Sequence, residues 1–208
     1  MLFLNENDLK RCLDLDSLRA SMKEALQSYS SKTATSFPRA VFNTQSGGAI
    51  APIGFMPAID YERDLLGYKA ITVFHENRRL NLNPHQGVVV LLDRKTGKLK
   101  CILDGSFLTA VRTAAVSAAA TDALSKLNSK TLALIGSGRQ AIEHVYSIAR
   151  IRPIEHIQVY SRSQKSFDQF NEHFNANPKL KNQSTRINRS RMTNKAAANF
   201  PKTCTIKP

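Results

Sequence analysis

At 208 residues the chain is long enough for one large domain or two small ones with a real core, and its 42% hydrophobic and 22% charged residues are ordinary globular values. No apolar run approaches the roughly 20 residues a membrane span needs, so no membrane partner is expected. The net charge of +14 raises nucleic acid as a partner, but residues 181–208 hold seven Lys or Arg and no acid, half of the excess, and no basic stripe interleaved with aromatics runs through the rest; no nucleic acid is expected.

The N-terminus, MLFLNENDLKR, carries acids early and lacks the basic segment and small-residue cleavage site of a secretory signal. Cys12, Cys101 and Cys204 are widely spaced and match neither a metal-ligand pattern nor a disulfide framework. Together these features point to a reducing cytoplasm and to no metal. Residues 1–35 read as helical, because Leu9, Leu13, Leu18, Met22, Ala25 and Leu26 recur near a helical period. Asn7 or Asp8 is placed to cap a first helix, and Asp16 or Ser17 a second.

Residues 37–104 read mainly as strands. RAVFNTQSGGAIAPIGFMPAI contains a Gly-Gly hairpin signal, and YKAITVF, GVVVLLD and KLKCILD are short apolar runs. DRKTGK turns between the last two, with Gly97 suited to a left-handed position. Asp104 to Leu127 then reads as an alanine-rich helix whose small side chains permit close packing. Arg112, followed by Thr113, is the lone charge from Gly105 to Thr121, and such an arginine calls for a carboxylate or phosphate partner.

KTLALIG reads as a buried parallel-type strand, GSGRQA as G-x-G-x-x-A, QAIEHVYSIARI as a helix and IEHIQVYSRS as a second strand. Gly136, Ser137 and Gly138 allow a sharp turn, and a pyrophosphate can then approach free N–H groups at the helix start, where Gln140 and Ala141 stand. An acid that would bind a ribose diol is expected roughly twenty residues past the glycines. That place holds Ser161, Arg162 and Ser163, with Ser166 just beyond, which suits a 2′-phosphate and favours NADP over NAD.

PRAVF, GFMPA, GYKAITVF, NPHQGVVVLLD, CILDGSFLTAVRTAAVSAAAT, LALIGSGRQA and VYSRS occur in order. Together they resemble the ornithine cyclodeaminase/mu-crystallin family from about residue 2 to residue 175, with the DG-x(3)-TA-x-RTAA segment the most specific. The resemblance implies an α/β protein: an N-terminal α+β dimerisation and substrate domain, here residues 1–127, then a partial Rossmann domain, a doubly wound parallel sheet, at 128–181. It implies a homodimer and an NAD(P)-dependent oxidoreductase or cyclodeaminase acting on a small amino or imino acid.

By the same resemblance Arg39, Lys69 and Arg112 bind the substrate, with Lys69 in the catalytic pocket, while His85, Gln86, Arg112 and Thr113 lie on the cofactor side. Cyclodeaminases of the family carry a glutamate two residues before the Met of MP; here that residue is Gly54, which favours the imine-reductase side. Residues 182–208 read as a basic, disordered tail, as a truncated or frameshifted gene would produce, with no strand and no aspartate for the family's acid/base role. A non-catalytic remnant that binds NADP or a small ligand is the alternative to an enzyme.

Overall fold

A computed structural model describes residues 1–177 and 185–190, and the chain divides into two compact units, Met1–Ala120 and Thr121–Pro208. The division falls inside the alanine-rich helix, where the expected boundary lay just after it.

The first unit runs β1 (Leu2–Leu4), α1 (Glu6–Cys12), α2 (Leu15–Ser30), β2 (Ala34–Ser36), β3 (Ala40–Ser46), β4 (Ala49–Asp60), β5 (Leu65–Val73), a 3-10 turn (His75–Leu80), β6 (His85–Asp93), β7 (Leu99–Asp104) and most of α3 (Gly105–Leu124), whose last turn from Thr121 belongs to the second unit. The sheet has the order β1-β7-β6-β5-β4-β2, with β3 also paired to β4. The hairpin signal is fulfilled, as Gly47 and Gly48 take φ of +58° and +79° between β3 and β4, a region open mainly to glycine.

Two expectations at the N-terminus are corrected. Leu2–Leu4, read as helical, form a strand parallel to Cys101–Leu103 of β7, because the pairing partner lies far along the chain where local periodicity cannot reveal it. The caps also sit earlier than expected. The Asn5 side chain accepts from the amides of Asn7 and Asp8 at 2.8 and 3.1 Å, and Asp8 accepts in return from the Asn5 amide, closing a capping box. Asp14 caps α2 by accepting from the Ser17 amide at 2.8 Å.

Leu9, Leu18, Phe107, Val111 and Ala115 form one core cluster that joins α1, α2 and α3. Burying each of the larger side chains contributes about 1.5–3 kcal/mol. The Asp104 carboxylate starts α3 by accepting from the Phe107 amide at 2.7 Å. A Cβ at Gly105 would lie 2.7 Å from backbone atoms of Gly87 and Val88, so glycine alone lets α3 press onto β6.

The second unit contains β8 (Thr131–Ile135), α4 (Arg139–Ala149), β9 (His156–Tyr160), α5 (Gln164–Ala176) and β10 (Arg186–Ser190). Its three strands are parallel in the order β10-β9-β8 around a core of Val145, Ile157, Val159 and Phe170. β10 corrects the expectation that the chain has no packed structure from residue 182. Residues 186–190 pair in parallel with 156–160, and the Arg186 amide donates to Glu155 O at 2.8 Å. The strand went unread because backbone groups make this ladder and Ile187 is its lone apolar residue. Residues 178–184 and 191–208, Cys204 among them, lie outside the described residues.

Among the described residues of this unit Arg152 is the buried charge, its side chain only 1% exposed. It donates six hydrogen bonds of 2.6–3.3 Å: to Ser125 Oγ, Asp122 Oδ1, Ile151 O, Thr121 O, Asp122 O and Ser125 O. A single guanidinium thereby satisfies the orphan carbonyls at the end of α3.

Candidate functional site

A cavity of about 520 Å³ opens in the first unit, lined from α2, β2, β4, β5, β6 and α3. Most of the lining is apolar, with Met22, Tyr29, Met56, Leu91 and Leu108 among it. Lys69 enters from β5, where it stands between Met56 of β4 and Val89 of β6, and Arg112 enters from α3. Lys69 Nζ donates to Thr109 Oγ1 at 3.4 Å.

Partial burial holds the Lys69 ammonium below the usual lysine range, and repulsion from Arg112 and then Arg39 adds to it. Burial likewise lowers the Arg112 guanidinium, with Arg39 again repelling it, although Arg112 keeps one side in solvent. Arg39 is exposed just before β3 and is not part of the cavity wall. Among the described residues, none of these three cations has an ion pair. Asp60 does line the cavity, but its carboxylate is committed to Arg63, at 2.8 Å from Nη1 and 2.9 Å from the amide. The arrangement is receptive to a small anion beside an apolar body.

His85 lies near this group. Its imidazole is held below the usual histidine range by burial, then by His75, Arg78 and Lys69. The His85 amide donates to Asn83 Oδ1 at 3.0 Å, and its carbonyl accepts from Ser106 Oγ at 2.9 Å. Gln86 Nε2 is spent on Asn83 O at 2.9 Å, and Thr113 Oγ1 on Thr109 O at 2.6 Å.

The second unit offers a different kind of site. Gly136 takes φ of +112°, and its amide donates to Tyr160 O at 2.8 Å. Gly138 is the extended N-cap of α4, and the first-turn amides, with Gln140 and Ala141 in that turn, receive no side-chain capping bond from it. Nothing lies within 4 Å of where a Cβ would stand at Gly136 or Gly138. Open space in front of uncapped amides fits a pyrophosphate.

The turn after β9 is largely self-satisfied. The Ser137 and Ser161 hydroxyls bond at 2.9 Å, and Ser161 donates onward to Ser163 O at 3.1 Å. Ser163 caps α5, accepting from the Ser166 amide at 3.2 Å and donating to Ser166 Oγ at 2.8 Å. The hydroxyls expected to meet a ribose phosphate are thus committed within the loop. Arg162 is exposed, with no partner among the described residues.

Sequence reasoning missed Thr109, Arg152 and Arg189. Thr109 stands three residues before Arg112 on α3, on the same helical face, and that spacing was the available signal. Arg152 and Arg189 sit in charged-looking stretches that carry no such pattern.

Parallel strands in the order 3-2-1, joined through two helices and opened by a glycine turn, define a Rossmann-like unit, and the chain as a whole is an α/β protein. The chain belongs to the ornithine cyclodeaminase/mu-crystallin family, whose model matches residues 1–187. A Delta(1)-pyrroline-2-carboxylate reductase of Bacillus cereus is 33% identical over 170 residues, 79% of this chain and 50% of that protein. The ketimine reductase mu-crystallin of Macropus fuliginosus is 29% identical over 183 residues, 81% of this chain and 54% of the relative. The Thermococcus litoralis Delta(1)-pyrroline-2-carboxylate reductase, solved with NADH and L-proline, superposes with a TM-score of 0.83 at 26% identity, over 96% of this chain and 59% of that one. The chain thus spans about half the length of the curated relatives it matches.

Proposed function

We propose that the chain carries substrate- and cofactor-binding parts of a nicotinamide-dependent reductase for a small carboxylated cyclic imine, or for the reverse oxidation of the amino acid. The observation that carries this is the group of Arg39, Lys69 and Arg112, which has no counter-ion among the described residues and stands by an apolar cavity. The relatives' activities on pyrroline carboxylate and ketimines are the chemistry such a site suits.

In this reading Arg112, with the charge of Arg39 nearby, holds the carboxylate through charge-assisted hydrogen bonds. The apolar wall seats the ring. Lys69 Nζ, poised below the usual lysine range and oriented by Thr109, donates its proton to the imine nitrogen. The reduced nicotinamide, when bound, supplies the hydride. In the second unit, the α4 amides behind Gly136 and Gly138 would hold the pyrophosphate of a dinucleotide. Gly54 places no carboxylate on β4 where cyclodeaminases carry glutamate, which favours reduction over ornithine deamination.

NADP in preference to NAD, a homodimer and a cytoplasmic location belong to the same proposal. Arg162 supports the first. Phe42 and Phe55, exposed together on one side of the β3–β4 ladder with ring centroids 6.4 Å apart, support pairing through that face, and the free Cys12 and Cys101 support a reducing compartment. Binding without turnover is the second reading, favoured by the commitment of Asp60 to Arg63.

The test is calorimetric titration of the chain with pyrrole-2-carboxylate, a planar analogue of the cyclic imine acid, together with NADPH oxidation on the imine itself. Arg112→Met should weaken the analogue about 100-fold, the size of a lost charge-assisted contact. Equal affinity in wild type and variant would overturn the site. Tight binding with no oxidation of NADPH would select the second reading.

A further inference from the structure

β10 brings a second arginine to the turn that follows β9. Arg189 stands opposite Val159 in the parallel ladder. One terminal nitrogen, Nη1, donates to Gln164 Oε1, and the other, Nη2, donates to Ser161 O at 3.1 Å. The guanidinium therefore lies against the backbone of the residue just before Arg162. Gln164 is fixed from its other end, since its Nε2 donates to Asp168 Oδ1 at 2.7 Å. The third edge of Arg189 is different: its Nε–H is hidden from solvent and has no partner among the described residues.

A guanidinium N–H that is neither wet nor bonded is a standing cost, and a charged one more so. Neither Arg162 nor Arg189 has an ion pair among the described residues. Two cationic residues meet at Ser161, since Arg162 follows it and Arg189 donates to its carbonyl from β10, and a neutral ribose diol neutralises neither. A phosphate monoester does, with nearly two negative charges and three acceptor oxygens. The serine hydroxyls of the turn cannot substitute, because they are already engaged with one another and with Ser163 O.

We propose that Arg189 is the second cation of a phosphate-monoester site at the β9–α5 turn, acting with Arg162 on the ribose phosphate of a phosphorylated dinucleotide. Arg189 works in two ways: it holds the turn through Ser161 O and Gln164, and its charge faces the ligand from the strand side. This rests on the dinucleotide reading of the glycine turn, and it does not involve the cations of the first unit.

The experiment is calorimetric titration of the full chain with adenosine 2′,5′-bisphosphate, 5′-AMP and inorganic phosphate. Wild type should bind the bisphosphate about tenfold more tightly than 5′-AMP. Arg189→Gln should bring that ratio close to one and leave the affinity for 5′-AMP within about twofold of wild type. Arg162→Ala should reduce the ratio as well. If Arg189→Gln weakens both nucleotides in parallel, the residue is structural and the proposal falls. If inorganic phosphate competes as well as the bisphosphate, the site is a free-phosphate site and the dinucleotide assignment falls. Should Arg189→Gln fail to fold, Arg189→Lys decides: it keeps the charge, so a ratio near that of wild type is expected, and a ratio close to one with unchanged 5′-AMP affinity would overturn the role. Loss of 5′-AMP and bisphosphate binding alike in wild type would sink the cofactor reading itself, while pyrrole-2-carboxylate binding would remain to test the first unit separately.

Discussion

Arg112 in the first unit and Arg152 in the second are the same residue type in opposite circumstances. Arg152 is buried and has an acceptor for each of six hydrogen bonds, and the end of α3 is built around it. Arg112 lines a cavity, is repelled by Arg39, and has no ion pair among the described residues. A cation whose needs are met inside the fold is structure; one held in place with its needs unmet is a candidate site. The glycine turn of the second unit follows the same logic with backbone groups, since its helix amides are left uncapped.

The largest expected effect tests that division directly. Arg152→Ala should destabilise the protein by about 3 kcal/mol, because the buried carbonyls at the end of α3 lose their donor. Arg112→Met, by contrast, should leave stability in the absence of ligand unchanged or slightly raised, since it removes a repulsive charge. Urea denaturation of the two variants side by side checks this. Comparable losses in both would end the distinction between them.

Glycines sharpen the same contrast at a smaller scale. Gly105→Ala should cost about 1–3 kcal/mol, because the new Cβ meets the Gly87–Val88 backbone at 2.7 Å. Gly136→Ala meets no atom within 4 Å but is strained by its φ of +112°, at a cost of about 1–3 kcal/mol. Gly138→Ala has neither problem and should change stability by less than about 0.5 kcal/mol, yet its methyl would enter the space in front of the α4 amides. Thermal melts with and without 5′-AMP separate the three. Gly138→Ala that binds 5′-AMP as wild type does would show that the open space is not the phosphate seat.

The sequence disclosed these features unequally, for physical reasons. The β8–α4–β9 segment was legible because a buried parallel strand, a glycine turn and an amphipathic helix each leave a local pattern. The paired glycines before β4 and Gly97 were legible because left-handed backbone selects glycine. Lys69 and Arg112 were not legible from spacing: they meet across strand and helix, and only the family likeness joined them. β10 was hidden because RINRS has one apolar residue, and its stability comes from the ladder with β9 and from Arg189. Nothing local marks Arg152, most of whose acceptors lie some thirty residues earlier.

The smallest expected effect concerns the pH dependence of Lys69. Its ammonium is lowered from 10.5 by burial first and by Arg112 and Arg39 next, so the folded state binds this proton less tightly than the unfolded state does. Below the lowered value both states carry the proton, and the penalty of holding a charge beside two others is fully present. Between the lowered value and 10.5 the unfolded chain binds more protons, so stability rises with pH; above 10.5 neither state is charged and the penalty is gone. Lys69→Met lacks the group altogether. Wild type should therefore be slightly less stable than Lys69→Met near neutral pH, and the gap should close as pH is raised toward about 10. Because Lys69 is only half-buried, the change is small, and it is read as a difference in urea midpoints between the two proteins at each pH, which cancels other titrating groups. A bound carboxylate neutralises the repulsion and returns Lys69 toward its ordinary range. With saturating pyrrole-2-carboxylate the wild-type slope should accordingly flatten. Parallel stability curves for wild type and Lys69→Met, unaltered by the ligand, would show that this lysine does not feel the other cations and would remove it from the site.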